Sequence, residues 1–175
     1  MAVLIEALSV VIRCKAIVKN YYGGVDAFMS ALPNKTLCSD GELACVNFMV
    51  PKDVQAYVEY LISNGLTFKQ SDEAIDIVVV DQMRGMTTDC DWADIGEADW
   101  NNNPNHVIVV CCARPTKVDR IVVPEGWGYE ESLSANCKYV DGKQVPKNLK
   151  FVRIENGVDV LLDEKTGQEF YVRRG

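Results

Sequence analysis

The sequence predicts an α+β fold, in which two or three helices pack on a mainly antiparallel or mixed sheet and the chain ends in a β-meander. Three observations predict it: Val- and Ile-rich runs recur along the chain, one segment between two such runs has helical periodicity, and the last quarter alternates apolar runs with turn residues. The chain has 175 residues, 48% of them hydrophobic and 25% charged, which is typical of a globular domain. We therefore expect residues 1–175 to form a single compact domain.

The first elements are a strand and two helices. Residues 3–12 are dominated by Val and Ile, which favours a buried strand. Residues 13–20 continue the chain as a short helix, and Gly23-Gly24 then interrupts it. A second helix is expected before Pro33-Asn34, because apolar side chains recur there at helical spacing: Val25, Phe28, Met29 and Leu32.

A strand, a helix and two further strands form the clearest unit. Residues 42–50 predict a strand, and Pro51 suits the first position of a helix. The helix ends at Asn64-Gly65, which favours a left-handed stop. Shorter strands are expected over residues 66–68 and 75–80. Four residues form the apolar stripe of the helix: Val54, Tyr57, Val58 and Leu61.

The second half of the chain is rich in predicted strands. Asn156-Gly157 lies between two apolar runs and is the strongest short signal for a β-hairpin, because a type I′ turn needs positive φ at both central positions. The last three runs therefore predict a three-stranded meander. The strands are expected over residues 107–113, 120–123, 149–155, 158–162 and 169–173.

An acidic segment, residues 82–104, separates the two halves. It has few aliphatic side chains, so we expect an irregular functional loop or a divider between two units. The alternative to one domain is therefore an α/β half over residues 1–81 joined to a β-rich half over residues 105–175. Nine acids and a single basic residue, Arg84, fall within residues 72–99.

Residues 89–100 are the most informative stretch, because acids there surround two tryptophans. In a helix, Trp92, Ile95 and Trp100 would share one side and most acids would lie opposite. Three interpretations follow: a helix with its tryptophans in the core, a surface that binds a basic partner, or a Ca²⁺ site. The spacing departs from the EF-hand pattern, so we expect no metal. The candidate partner-binding residues are Asp89, Asp91, Trp92, Asp94, Glu97 and Trp100.

Enzyme signatures are weak in this sequence. It contains no nucleophile elbow, no Walker loop and no Gly-x-Gly-x-x-Gly motif. His106 is the only histidine, and along one strand it would lie about 20 Å from Cys112. The seven cysteines are expected to be reduced and structural. We therefore assign no catalytic residue and no cofactor, and we favour a non-enzymatic function.

Glu6 is the one charged residue inside the first apolar run. The simpler interpretation places it at a strand end or a sheet edge, where it faces water. A buried Glu6 would need a partner such as Arg13 or Arg120, or it would take up a proton. In that case Glu6 would be a candidate functional residue.

The net charge of the chain disfavours some classes of binding partner. The chain carries 18 basic and 25 acidic side chains, a formal net charge of −7. Such a surface repels phosphate backbones, and no apolar run is long enough for a membrane span, so neither nucleic acid nor a membrane is expected as a partner.

The leading hypothesis is a non-enzymatic, cytoplasmic acidic module that binds a basic protein partner, as small acidic inhibitors and immunity proteins do. One alternative is a small-molecule-binding protein or enzyme with its site under the 82–104 loop. Another is a homo-oligomer that associates through an apolar patch around Trp127 and Tyr129.

Overall fold

The computed structural model describes residues 1–115, 118–141, 149–155, 158–165 and 167–173. Its helices are α1 (Cys14–Asn20), α2 (Gly24–Ser30), α3 (Pro51–Ser63) and the four-residue α4 (Leu133–Asn136). Its strands are β1 (Ala2–Ile5), β2 (Leu8–Arg13), β3 (Cys38–Ser39), β4 (Leu43–Phe48), β5 (Lys69–Gln70), β6 (Glu73–Ala74), β7 (Ile77–Asp81), β8 (Gly85–Met86), β9 (Ala93–Asp99), β10 (Val107–Ala113), β11 (Ile121–Val122), β12 (Cys137–Asp141), β13 (Lys150–Glu155), β14 (Val158–Asp163) and β15 (Gln168–Arg173). The strands form mostly antiparallel sheets, so the predicted α+β class is confirmed.

Five strands form a central sheet that the helices cover on one face. Its order is β3-β4-β2-β7-β8, with every neighbouring pair antiparallel. Val10 and Ile12 of β2 belong to the same apolar cluster as Tyr57, Val58 and Leu61 of α3. The apolar stripe predicted for this helix is therefore the side that it buries.

An outer sheet lies against the other face of the central sheet. Its order is β11-β1-β10-β9, with β1 antiparallel to β10 and parallel to β11. Val3, Ile5 and Cys111 of the outer sheet share a buried cluster with Val11 and Cys45 of the central sheet. The molecule is thus layered as helices, central sheet and outer sheet.

The apolar run predicted as one strand over residues 3–12 is two strands. β1 belongs to the outer sheet and β2 to the central sheet, and Glu6 and Ala7 form the bend between them. Ala7 has φ 53°, a left-handed conformation that costs a residue with a Cβ about 1 kcal/mol or more. Two hydrogen bonds with Gln82 hold this bend. The N–H of Ala7 donates to Oε1 of Gln82 at 2.8 Å, and the N–H of Gln82 donates to the carbonyl of Ala7 at 2.9 Å.

Residues 82–104 are not an irregular loop, and the helix considered for residues 89–100 is wrong. The segment forms β8, β9 and a short 3₁₀ helix, Trp100–Asn102. β9 pairs with β10 along its whole length. In the described part of the chain, β9 is the edge strand of the outer sheet. Hydrogen bonding to β10, the next strand along the chain, overrides the weak helical pattern of the local sequence.

The C-terminal strands form the predicted meander. β13, β14 and β15 are successive antiparallel neighbours, and β12 joins β15 in parallel, which makes this sheet mixed. Val160 and Tyr171 pack with Ala7, so the C-terminal sheet contacts the β1–β2 bend. The turn predicted at Asn156-Gly157 lies outside the described residues. Among those residues, no helix is long and apolar enough to cross a membrane.

Candidate functional site

A cavity of ≈ 890 Å³ lies beside the carboxyl end of β4, and we call it the Glu6 cavity. This volume is within the range of small-molecule sites. None of the residues 82–104 lines it, so it lies on different elements from those expected for such a site. Its walls come from the β1–β2 bend, the connection over residues 31–36, residues 47–49, residues 53–60 of α3, residues 124–127 and Leu133.

The strand β4 and the helix α3 supply much of the wall. β4 ends at Phe48 and α3 begins at Pro51, whose fixed φ suits the first helical position. The lining residues of the helix recur at spacings of three and four, so they lie along one side of it. They are Asp53, Ala56, Tyr57 and Tyr60.

Glu6 is buried in the cavity wall, with 5% of its surface exposed. Its Oε1 accepts a hydrogen bond from Nε1 of Trp127 at 2.6 Å, and its Oε2 accepts from the N–H and the hydroxyl of Ser134, each at 2.8 Å. The simpler interpretation, in which Glu6 faces water, is therefore wrong. Glu6 is buried as in the alternative, but neutral donors take the place of the suggested Arg13 or Arg120. They replace the hydration that burial of a carboxylate removes.

Tyr57 is a second buried residue of the wall that carries a polar group. It is 5% exposed, and its ring packs against those of Phe48 and Tyr60, with centroid distances of 5.4 and 6.4 Å. Burial, together with Tyr21 and Tyr60, raises the pKa of Tyr57 above its usual 10.0, so the hydroxyl is neutral at physiological pH. That hydroxyl has no hydrogen-bond partner in the described part of the chain. Leaving such a group unpaired costs about 1–3 kcal/mol.

Hydrogen bonds hold the polar part of the wall in place. Nδ2 of Asn34 donates to the carbonyl of Asn47 at 2.8 Å, and Oγ1 of Thr36 accepts from the N–H of Asn47 at 2.8 Å. The hydroxyl of Ser9 donates to Oδ1 of Asn47 at 2.6 Å. The connection over residues 31–36 is therefore tied to β4, and through Ser9 to β2.

Trp127 links the Glu6 cavity to an aromatic cluster on the outer sheet. Its ring lies edge-on to that of Trp100 at 5.0 Å and to that of Tyr129 at 6.4 Å. Tyr129 in turn stacks on His106 at 4.2 Å. Trp127 and Tyr129, considered as an oligomerisation patch, are half-buried in this cluster. These contacts position the indole whose Nε1 donates to Glu6.

The two tryptophans proposed as partner anchors belong to different apolar clusters. Trp92 is buried between the outer and central sheets, where its Nε1 donates to the carbonyl of Ala74 at 3.0 Å and Arg13 lies over its ring at 5.2 Å. Trp100 is half-buried in the aromatic cluster beside Trp127. The structure therefore does not bring the two indoles onto one surface.

The four acids proposed for partner binding are all exposed. Asp94 and Glu97 lie on opposite faces of β9, because side chains alternate along a strand. Asp94 accepts two hydrogen bonds from Arg114, which lower its pKa. Asp89 and Asp91 precede the strand. The structure thus distributes these acids over the two faces of an edge strand and the loop before it.

Six cysteines are free thiols: Cys14, Cys38, Cys45, Cys90, Cys111 and Cys112. Several of them are poor nucleophiles. A hydrogen bond with Cys38, together with burial, raises the pKa of Cys45 well above its usual value. The thiolate is the reactive form, so a raised pKa weakens nucleophilicity at neutral pH. Burial likewise raises the pKa of Cys14, Cys90, Cys111 and Cys112.

Neither the described side chains, as metal ligands, nor similarity to known proteins assigns a function. Within the described ranges, no group of three or more His, Cys, Asp or Glu side chains is arranged to hold a metal ion. Comparison of the chain with family models, curated proteins and solved structures found no significant match. The geometry of the Glu6 cavity is therefore the basis on which a function can be assigned.

Most of the cavity wall could not be predicted from the sequence. Tyr57 stands in the apolar stripe of α3, and no local pattern shows that its hydroxyl lacks a partner. For Phe48 and Tyr60, the sequence predicts only the strand and the helix that contain them, and it does not indicate a cavity. Glu6 is the exception, since a lone charge within an apolar run is visible in the sequence.

Proposed function

We propose that this protein binds a small organic molecule in the Glu6 cavity. The observation that carries the proposal is a cavity of ≈ 890 Å³ whose wall contains a buried carboxylate, Glu6, and a buried tyrosine, Tyr57, with an unpartnered hydroxyl among the described residues. Small-molecule sites are typically apolar clefts of this size with a few fixed polar groups.

The preorganisation of the wall supports the same proposal. Glu6 is held by donors from Trp127 and Ser134, and the adjacent Ala7 keeps a left-handed φ of 53°. Backbone strain of this kind persists only where surrounding contacts enforce it, and it is concentrated at functional sites. A fixed wall loses little conformational entropy when a ligand binds.

The proposal is tested by filling the cavity. Ala56 is an exposed residue of α3 that lines it, so Ala56→Trp should occupy part of the volume with little effect on folding. Ile62→Trp, on an exposed position of the same helix away from the cavity, is the matched control. We expect compounds that raise the melting temperature of the wild type in a fragment screen to lose this effect with Ala56→Trp and retain it with Ile62→Trp.

Two outcomes of this screen would reject the proposal. One is that no fragment stabilises the wild type. The other is that the stabilising fragments act equally on Ala56→Trp, which would place their binding elsewhere on the molecule.

A second candidate function is recognition of a basic protein partner, favoured by the position of β9. This strand lies at the edge of the outer sheet, and its Asp94, Glu97 and Asp99 are exposed. An edge strand can pair with an added strand through its backbone, while charged side chains select the partner. A partner strand with alternating basic residues would match Glu97 and Asp99, which lie on the same face of β9.

This second function is tested with a labelled seven-residue peptide of alternating lysine and valine. Binding measured by fluorescence anisotropy should weaken as salt is raised and with Glu97→Gln combined with Asp99→Asn. The control is Asp26→Asn, an exposed acid on α2. Binding that ignores salt, or that the control reduces equally, would count against recognition by β9.

A further inference from the structure

The charged side chains that line the Glu6 cavity, among the residues that the structure describes, all have the same sign. They are Glu6, Asp53 and Glu125, and no described Lys, Arg or His lines it. Glu6 is buried, whereas Asp53 and Glu125 are exposed. An anionic ligand would meet three carboxylates without a cationic side chain to pair with it, and a cationic ligand would meet complementary charge.

Aromatic rings supply much of the apolar wall. Phe48, Tyr57, Tyr60 and Trp127 all line the cavity, and the first three form a contiguous group of rings. The faces of aromatic rings attract cations, and the attraction is stronger where water is excluded. Aromatic rings and carboxylates together are the two kinds of group that bind an organic ammonium ion.

Glu6 retains the capacity to accept another hydrogen bond. A carboxylate has about four acceptor positions, and three donors from Trp127 and Ser134 are bound to it. Oε1 accepts from Trp127 alone among the described contacts.

One feature of the wall favours the opposite charge. The N-terminal turn of α3 contributes to the wall, and helix N-termini attract anions. Asp53 lies in that first turn, so its own carboxylate already offsets the partial positive charge of the helix end. The remaining charges of the wall are negative.

We infer that the ligand of the Glu6 cavity is an organic ammonium ion with an aromatic or apolar body. This inference rests on the proposed function and names its ligand class. The ammonium group would bind near Glu6, and the apolar body would pack against Phe48, Tyr57 and Trp127. No covalent step is involved.

The test compares three probes of similar shape by isothermal titration calorimetry at pH 7: 2-phenylethylamine, 2-phenylethanol and 3-phenylpropanoate. We expect the amine to bind about tenfold more tightly than the alcohol, and the carboxylate to bind most weakly. Raised salt should weaken binding of the amine and leave that of the alcohol unchanged.

Variants that each remove one carboxylate identify which side chain causes the preference for the amine. Glu6→Gln should remove most of the preference for the amine over the alcohol. Glu125→Gln, at an exposed lining position, should reduce the preference in part, and it tests the inference if Glu6→Gln fails to fold. Glu42→Gln, an exposed acid that does not line the cavity, should leave it unchanged.

The outcomes separate this inference from the proposed function. Equal binding of amine and alcohol, or tighter binding of the carboxylate, overturns the cationic ligand while a cavity-dependent site remains. The cationic ligand is also overturned if none of the three probes binds, while Ala56→Trp abolishes the effect of the fragments found in the screen. Hits that are insensitive to Ala56→Trp reject the site itself.

Discussion

At the scale of single residues, Glu6 makes the most informative contacts of the molecule. Glutamine at this position keeps the shape of the side chain but replaces one acceptor oxygen with a donor. Trp127 donates on one side and Ser134 on the other, so either orientation of the amide leaves a buried donor facing another donor. We expect Glu6→Gln to lower the free energy of unfolding by about 1–3 kcal/mol, measured by urea denaturation.

The control for this prediction is a carboxylate of the same cavity that is exposed. Glu125→Gln should change the free energy of unfolding by no more than about 0.5 kcal/mol, because it leaves no buried donor unpaired. If Glu6→Gln were as stable as the wild type, the hydrogen bonds to Trp127 and Ser134 would not contribute to folding.

The same residue shows what sequence reasoning can reach at this scale. A charge within an apolar run marks Glu6 as unusual, but the simpler interpretation of a water-facing strand end is wrong, because Glu6 is buried. Its partners are separated from it by 121 and 128 positions along the chain, so no local pattern could identify them. Trp92 was considered as a partner anchor, but tertiary packing places it in the core beneath Arg13.

At the scale of elements, the end of α3 depends on Gly65. Its φ is +106°, and a Cβ at this position would lie 2.2 Å from the backbone carbonyl oxygen of Asn20, the last residue of α1. Gly65→Ala therefore incurs both backbone strain and a clash with a rigid group. We expect it to lower the free energy of unfolding by more than about 2 kcal/mol, measured by urea denaturation.

Gly41 provides a matched control, since its φ is +92° but a Cβ there would meet nothing within 4 Å. Gly41→Ala should incur the cost of the left-handed conformation alone, about 1–2 kcal/mol. The difference between the two variants isolates the contact between the helix ends. Equal losses would show that the backbone near Asn20 moves to accept the methyl group.

An ion pair links the outer strands of the C-terminal meander. Arg153 of β13 donates two hydrogen bonds of 2.9 Å to Glu169 of β15, across the intervening β14, and these lower the pKa of Glu169 below its usual 4.5. A carboxyl with a lowered pKa stabilises the fold above its unfolded pKa and loses this contribution as pH falls through its folded pKa.

A double-mutant cycle with Arg153→Gln and Glu169→Gln measures this contribution. Because the pair is partly exposed, we expect a coupling of about 0.5 kcal/mol in the free energy of unfolding at pH 7. The coupling should decline below pH 4.5 and vanish once Glu169 is protonated. A coupling that persists unchanged at about pH 2.5 would contradict an ionic origin.

The elements that the sequence predicts well are those with local signals. α3 has a proline start, an apolar stripe and a glycine stop, and it forms over Pro51–Ser63 as expected. β9 has none of these, and its conformation comes from pairing with β10. The bend between β1 and β2 was also missed, because both strands are apolar and only their partner sheets differ.

At the scale of the whole molecule, the layers explain why the cavity lies where it does. β1 and β2 belong to different sheets, so their bend lies where the outer and central sheets diverge. The loop over residues 124–127 and the connection over residues 31–36 complete the wall from distant parts of the sequence. Local sequence patterns predict many of the strands. They do not predict the cavity, because it forms only where the sheets and loops pack together.

The cavity draws its wall from residues between Glu6 and Leu133, so a ligand bound there contacts the β1–β2 bend, the end of β4 in the central sheet and α3 together. We therefore expect the ligand to stabilise these elements as one cooperative unit. A ligand at a hundred times its dissociation constant adds about 2.7 kcal/mol to the free energy of unfolding. Urea unfolding with and without a compound from the fragment screen should show this shift equally by tryptophan fluorescence and by far-ultraviolet circular dichroism. A shift confined to the fluorescence would mean that the layers around Trp127 unfold separately from the helices.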